Sequence, residues 1–194
     1  MLVGDWDGDG KADPAVYRSG GAGGQSFIFY RGSLNNPSGN ITFVPWGIGG
    51  DVPVRGDFDG DGKMDAGVFR PSDQNWYILK SSNFQLLVQQ WGFPTDKRIE
   101  GDFDGDGKTD FAVFRPSDTF WYVLQSSNGQ PNIRRWGLPG DIPVQGDYDG
   151  DGKSDLAIWR QSDMNFWVLQ SGGTLNVFNF GLAGDTPIAS VFVR

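Results

Sequence analysis

Gly101-Asp102-Phe103-Asp104-Gly105-Asp106-Gly107-Lys108-Thr109-Asp110 runs without a break into the apolar segment Phe111-Ala112-Val113-Phe114-Arg115. Carboxylates crowded into a glycine-rich turn read as an oxygen cage for a cation, and the β-branched and aromatic run after it reads as a strand. The same pattern opens at Gly4, Gly56 and Gly146, so successive copies start 52, 45 and 45 residues apart. A fixed period of that size marks propellers, solenoids and arrays.

Residues 56–82 and 101–127 agree at 20 of 27 positions without a gap, which sets the register of the repeats at about 1–52, 53–97, 98–142 and 143–185 of a single domain, 1–194. Each unit holds four expected strands. The first enters the loop (Pro53 to Phe58, Ile99 to Phe103, Pro143 to Tyr148) and the second leaves it (Ala66 to Arg70, Phe111 to Arg115, Leu156 to Arg160). The third is aromatic (Trp76 to Lys80, Trp121 to Gln125, Phe166 to Gln170), and the fourth ends at Trp46, Trp91, Trp136 or Phe180. Pro71-Ser72-Asp73 and Pro116-Ser117-Asp118 supply turns between strands two and three. Segments such as Phe111 to Phe114, apolar on both faces, belong to sheets covered on each side, and no helical period is sustained. The sequence thus predicts an all-β β-propeller of four four-stranded antiparallel blades. Residues 186–194 repeat the first strand without the ligands and are expected to close the array.

Composition narrows the functional classes. The net charge is −8, yet 16 of the 24 acidic residues lie in the four loops, so four divalent cations would cancel it. The basic residues are scattered, which argues against nucleic acid as a partner. No apolar run approaches the ~20 residues of a spanning helix, so no membrane insertion is expected. The chain has no cysteine, and a core or bound metal must do what disulfides do elsewhere. It begins without the features of a secretory signal, so export would require one upstream.

Numbered from Asp5, the loop carries carboxylates at positions 1, 3, 5 and 9, glycine at 6 and lysine at 7, the last able to offer only its carbonyl. The expected ligands are Asp5, Asp7, Asp9, Lys11 and Asp13; Asp57, Asp59, Asp61, Lys63 and Asp65; Asp102, Asp104, Asp106, Lys108 and Asp110; and Asp147, Asp149, Asp151, Lys153 and Asp155. Calcium, one ion per loop and about four in all, suits such an oxygen shell. An EF-hand needs Glu at position 12, where this chain has Val16, Val68, Val113 and Ile158. Magnesium prefers a smaller hydrated shell, and zinc wants Cys or His. Four near-identical loops favour a structural ion over a catalytic one.

These loops, each followed by an apolar strand, resemble the FG-GAP and VCBS repeats of calcium-binding β-propellers, such as integrin α-subunit blades, bacterial secreted proteins and fungal lectins. Phe-Arg-Pro in place of Gly-Ala-Pro after strand two makes the bacterial VCBS type the nearer likeness. The resemblance implies calcium held by the loop aspartates and one main-chain carbonyl between the first two strands of each blade. It also implies an extracellular or cell-surface setting.

Other candidates read structurally. Trp46, Trp91, Trp136 and Phe180 recur once per unit, as packing aromatics do, and Tyr77, Tyr122 and Trp167 share that character. Arg18, Arg70, Arg115 and Arg160 suit pairing with nearby carboxylates or carbonyls. Arg55-Gly56-Asp57 spells an integrin-recognition tripeptide, but its aspartate is an expected metal ligand. Asn40-Ile41-Thr42 is a glycosylation sequon that matters only in a eukaryotic secretory host. With no His or Cys, and Glu100 and Asp96 as the only conceivable glycosidase pair, catalysis has little support. The expected function is a noncatalytic adhesion or binding module for glycans or a protein surface. The alternative is a scaffold or propeller fragment completed by missing repeats or by a homo-oligomer rather than a monomer, with a polysaccharide-active enzyme ranked last.

Overall fold

The computed structural model describes residues 2–188, and the fold class is the β-propeller of four antiparallel four-stranded blades that the repeats imply. The first blade is β1 (Leu2–Gly4), β2 (Asp13–Arg18), β3 (Gln25–Tyr30) and β4 (Thr42–Ile48). The second is β5 (Val52–Val54), β6 (Ala66–Arg70), β7 (Asn75–Leu79) and β8 (Leu86–Gln90). The third comprises β9 (Lys97–Ile99), β10 (Phe111–Arg115), β11 (Phe120–Leu124) and β12 (Pro131–Arg135), and the fourth β13 (Ile142–Pro143), β14 (Leu156–Arg160), β15 (Asn165–Leu169) and β16 (Leu175–Asn179). Every sheet is a meander in chain order. The closing strand expected over 186–194 lies mostly outside the described residues, and 186–188 form no strand.

The chain divides into two compact units, the described part of the first ending at Pro94 and the second beginning at Thr95. In the first, Leu2, Trp6, Ala15, Ile28, Met64 and Ala66 form a buried cluster that joins blades one and two. The Trp46 indole on β4 donates to the Tyr77 carbonyl on β7 at 3.0 Å. In the second, Ile99, Phe114, Trp121, Val123 and Ile158 are central to the equivalent cluster, and Trp136 donates to the Trp167 carbonyl at 3.3 Å. Trp46 and Trp136 are therefore packing residues with a satisfied N–H. Phe180 is instead 71% exposed.

The middle strands are buried on both faces, as their sequence implies. Strand β2 differs by alternating: Val16 is 53% exposed, whereas Val68, Val113 and Ile158 at the same position are at most 1% exposed. The first strands are shorter than the sequence reading and lie nearer the N-terminus. Residues such as Arg55 to Phe58 look like strand, but the Phe58 amide turns away to the Asp65 carboxylate, ending the ladder at Val54. The hairpins after the second strands close with Gln74, Thr119 and Met164 in the left-handed region. Asp73, Asp118 and Asp163 hold these turns by accepting the amide two residues on, each at 3.0 Å.

Candidate metal centres

Each loop lies between the first two strands of its blade and is wound around its first aspartate. Asp5 accepts the amides of Gly8 and Gly10 at 2.6 and 2.7 Å. Asp57, Asp102 and Asp147 do the same for Gly60 and Gly62, Gly105 and Gly107, and Gly150 and Gly152. Gly8 and Gly105 have φ of +86° and +84°, a region that side chains enter at a cost. They also lie under a lysine of the next loop: a Cβ there would come 2.5 Å from Cε of Lys63 and 2.8 Å from Cε of Lys153. Those two lysines therefore lean over the preceding loop. Lys11 instead pairs with Asp9 of its own loop at 3.1 Å.

The ninth position is the anchor. Asp13, Asp65, Asp110 and Asp155 are at most 1% exposed, and both carboxylate oxygens of each accept a backbone amide. One amide belongs to the aromatic residue of the loop (Trp6, Phe58, Phe103, Tyr148) and the other to a serine after the third strand (Ser33, Ser81, Ser126, Ser171). The serine hydroxyls donate to the fifth-position carboxylates: Ser33 to Asp9 at 2.7 Å, Ser81 to Asp61 and Ser126 to Asp106 at 2.8 Å, and Ser171 to Asp151. Ser82 and Ser127 add contacts to Asp59 and Asp104 at 2.6 and 2.7 Å. Sequence reasoning missed these serines. Their signal was the recurrence of Ser81-Ser82-Asn83 as Ser126-Ser127-Asn128 at the repeat distance.

Three carboxylates per loop converge: Asp5, Asp7 and Asp13; Asp57, Asp59 and Asp61; Asp102, Asp104 and Asp110; Asp147, Asp149 and Asp155. In each group one oxygen from every residue lies within 4.8 Å of the others, about twice a calcium–oxygen bond of ~2.4 Å. The remaining expected carboxylates, Asp9, Asp65, Asp106 and Asp151, stand outside these groups and are held by the hydrogen bonds above. Of the lysines, Lys11, Lys63, Lys108 and Lys153 donate their amides to the fifth-position aspartates at 2.8–2.9 Å, which fixes the turn that presents their carbonyls.

The electrostatics favour a cation. Burial pushes Asp65 and Asp110 up to about 6 despite the amides that hold them, and it also raises Asp13, Asp57 and Asp155. Neighbouring loop carboxylates push in the same direction. Asp9 and Asp151 are lowered, first by the serine hydroxyls. Neutral donors thus orient the carboxylates while leaving several of them poor hosts for uncompensated charge. An all-oxygen shell, with a buried anchor in three of the four groups, fits a hard divalent ion.

The remaining candidates are committed elsewhere. Arg70, Arg115 and Arg160 make two-pronged pairs with Asp51, Asp96 and Asp141 at 2.8–3.0 Å. They also lie over Tyr77, Tyr122 and Trp167 at 4.2–4.8 Å. Arg18 stacks on Phe29 at 4.5 Å. Asp96 is engaged by Arg115 through both carboxylate oxygens. Asp57 of the Arg55-Gly56-Asp57 tripeptide sits inside its carboxylate group with both oxygens hydrogen-bonded. No family model matches the chain, and no curated protein matches it.

Proposed function

We propose that the chain is a calcium-stabilised, noncatalytic binding or adhesion module that works outside the cell or on its surface, recognising glycans or a protein surface. One observation carries the calcium reading: three loop carboxylates converge in every blade, from positions one, three and nine of the loop in blades one, three and four and from positions one, three and five in blade two. A bound ion would offset the carboxylate charge and clamp the entry and exit of the loop. The chain's residues do the rest, since the anchor and its serine fasten the loop to the third strand of the same blade. Four equivalent sites suit scaffolding better than a single asymmetric reaction centre. The likeness to FG-GAP and VCBS repeats supports the extracellular binding role. A glycan-array screen of the calcium-loaded protein, followed by turnover assays on its best ligands, tests this. Binding without turnover is expected; hydrolysis of a bound polysaccharide would replace this reading with the enzyme.

A second reading, a scaffold completed by further repeats or by another copy, is favoured by the exposed Val16 on β2. Light scattering decides it. A monomer mass at all concentrations supports the self-contained module, whereas a stable dimer supports the scaffold.

A further inference from the structure

A cavity of about 210 Å³ opens inside the second unit, between blades three and four. Its deep side is apolar, with Trp121, Val123 and Leu156 buried, and its open side is polar, carrying Asn132, Arg134, Lys153 and Gln170. The side chains of these four make no hydrogen bond or ion pair with the described residues. Asp104, also in the lining, has an oxygen occupied by Ser127 at 2.7 Å.

The first unit provides an internal comparison. Tyr30 faces Ala15 as Val123 faces Ala112, and Val44 faces Ile28 as Arg134 faces Trp121. Trp6 and Met64 occupy the loop positions of Phe103 and Ser154. In unit one, Trp6 stacks on Tyr30 at 5.3 Å, and both join Met64 in the hydrophobic cluster. The position is therefore plugged by large apolar side chains. In unit two, valine and serine leave it open, and arginine replaces valine at its edge. A packing defect would lower stability without adding uncommitted polar groups. Here lost volume coincides with two cations and two amides whose side chains make no hydrogen bond or ion pair among the described residues.

We infer that this cavity binds one carboxylated sugar ring, a uronate, either free or at the end of an acidic polysaccharide. Arg134 and Lys153 supply the charge for a carboxylate, Asn132 and Gln170 suit hydroxyls, and the Trp121 side is apolar enough for the carbon face of a pyranose. A neutral sugar would offer the Arg134 guanidinium no counter-charge. The inference narrows the glycan reading above and rests on it. If neutral glycans bind the array and uronates do not, the module reading stands and this one falls.

Titration calorimetry of the calcium-loaded protein with galacturonate, glucuronate, galacturonate methyl ester and glucose tests it. Saturable one-site uronate binding is expected, weakened about tenfold or more in the ester, in glucose and in Arg134→Ala, because each removes a charged hydrogen bond. Val123→Tyr with Ser154→Met, the residues of unit one, should abolish it. Arg134 is exposed, so Arg134→Ala keeps the test decisive even if the double variant fails to fold. Tighter binding of tri-galacturonate than of galacturonate would place the polymer end as the ligand, and equal binding the free sugar. No binding of uronate at millimolar concentration, equal binding of glucose, or unchanged binding in Arg134→Ala overturns the inference.

Discussion

Asp110 and Asp118 are both single carboxylates in the third blade, yet their surroundings set them far apart. Asp110 is buried and accepts two backbone amides, from Phe103 and Ser126. Replacing it with alanine leaves both donors without an acceptor, at ~1–3 kcal/mol each. Asp118 is partly exposed, accepting the Tyr122 hydroxyl at 2.9 Å and the Phe120 amide at 3.0 Å. Its removal should cost about 1 kcal/mol. Denaturant titration of Asp110→Ala and Asp118→Ala checks this, and equal midpoints would contradict the anchor role. The spacing of the aspartates was legible in the sequence because it recurs four times. The division of labour was not, because a sequence does not reveal that the ninth carboxylate is occupied by amides from two segments. The serine partners were hidden for the same reason: they lie across the hairpin, 16 residues beyond Asp65, Asp110 and Asp155.

The same anchors make stability depend on pH. Folded Asp65 and Asp110 sit at about 6 against an ordinary value of 3.8, so the folded chain holds their protons more tightly than the unfolded one. That preference contributes fully below about pH 4 and is lost as pH rises through about 6. Metal-free protein should lose melting temperature across that window. Calcium in the third-blade group would compete with the Asp110 proton, so saturating calcium should flatten or reverse the slope. Calorimetry at constant ionic strength with and without chelator reads the difference; identical slopes would disconnect these carboxylates from any ion.

Among the elements, the second strands were read to the residue because apolar runs bounded by Asp and Arg leave no other register. Third strands begin one residue earlier than expected: Asn75, Phe120 and Asn165 pair with the arginines ending the second strands even though the turn aspartates accept their amides. What links a blade's first strand to its second, beyond the loop, is the arginine pair. Asp96, in the turn before β9, grips Arg115 at the end of β10 through two bonds of 2.9 Å, with its own carboxylate fully buried. Asp96→Ala removes the two-pronged partner of that guanidinium and should cost about 3 kcal/mol. Double-mutant analysis with Arg115→Ala should recover much of the loss as coupling; additive effects would reduce the pair to incidental contact.

Across the whole molecule, the all-β class and four blades followed from the repeat length and the loss of any helical period. The division into two compact units did not, because near-identical repeats carry no mark of a unit boundary. The cavity of unit two was equally illegible, since Val123 and Ser154, at the positions of Tyr30 and Met64, lie far apart in the sequence and meet only in the folded unit. The central claim is that the four carboxylate groups hold calcium and that the blades depend on it. Native mass spectrometry joined to thermal melting in calcium and in excess chelator tests it most directly. Four bound calcium ions are expected, one per carboxylate group, with the melting temperature falling on chelation as ~2.7 kcal/mol per site, at a hundredfold excess over Kd, is withdrawn. A protein that binds no calcium and melts identically in both buffers would contradict the account.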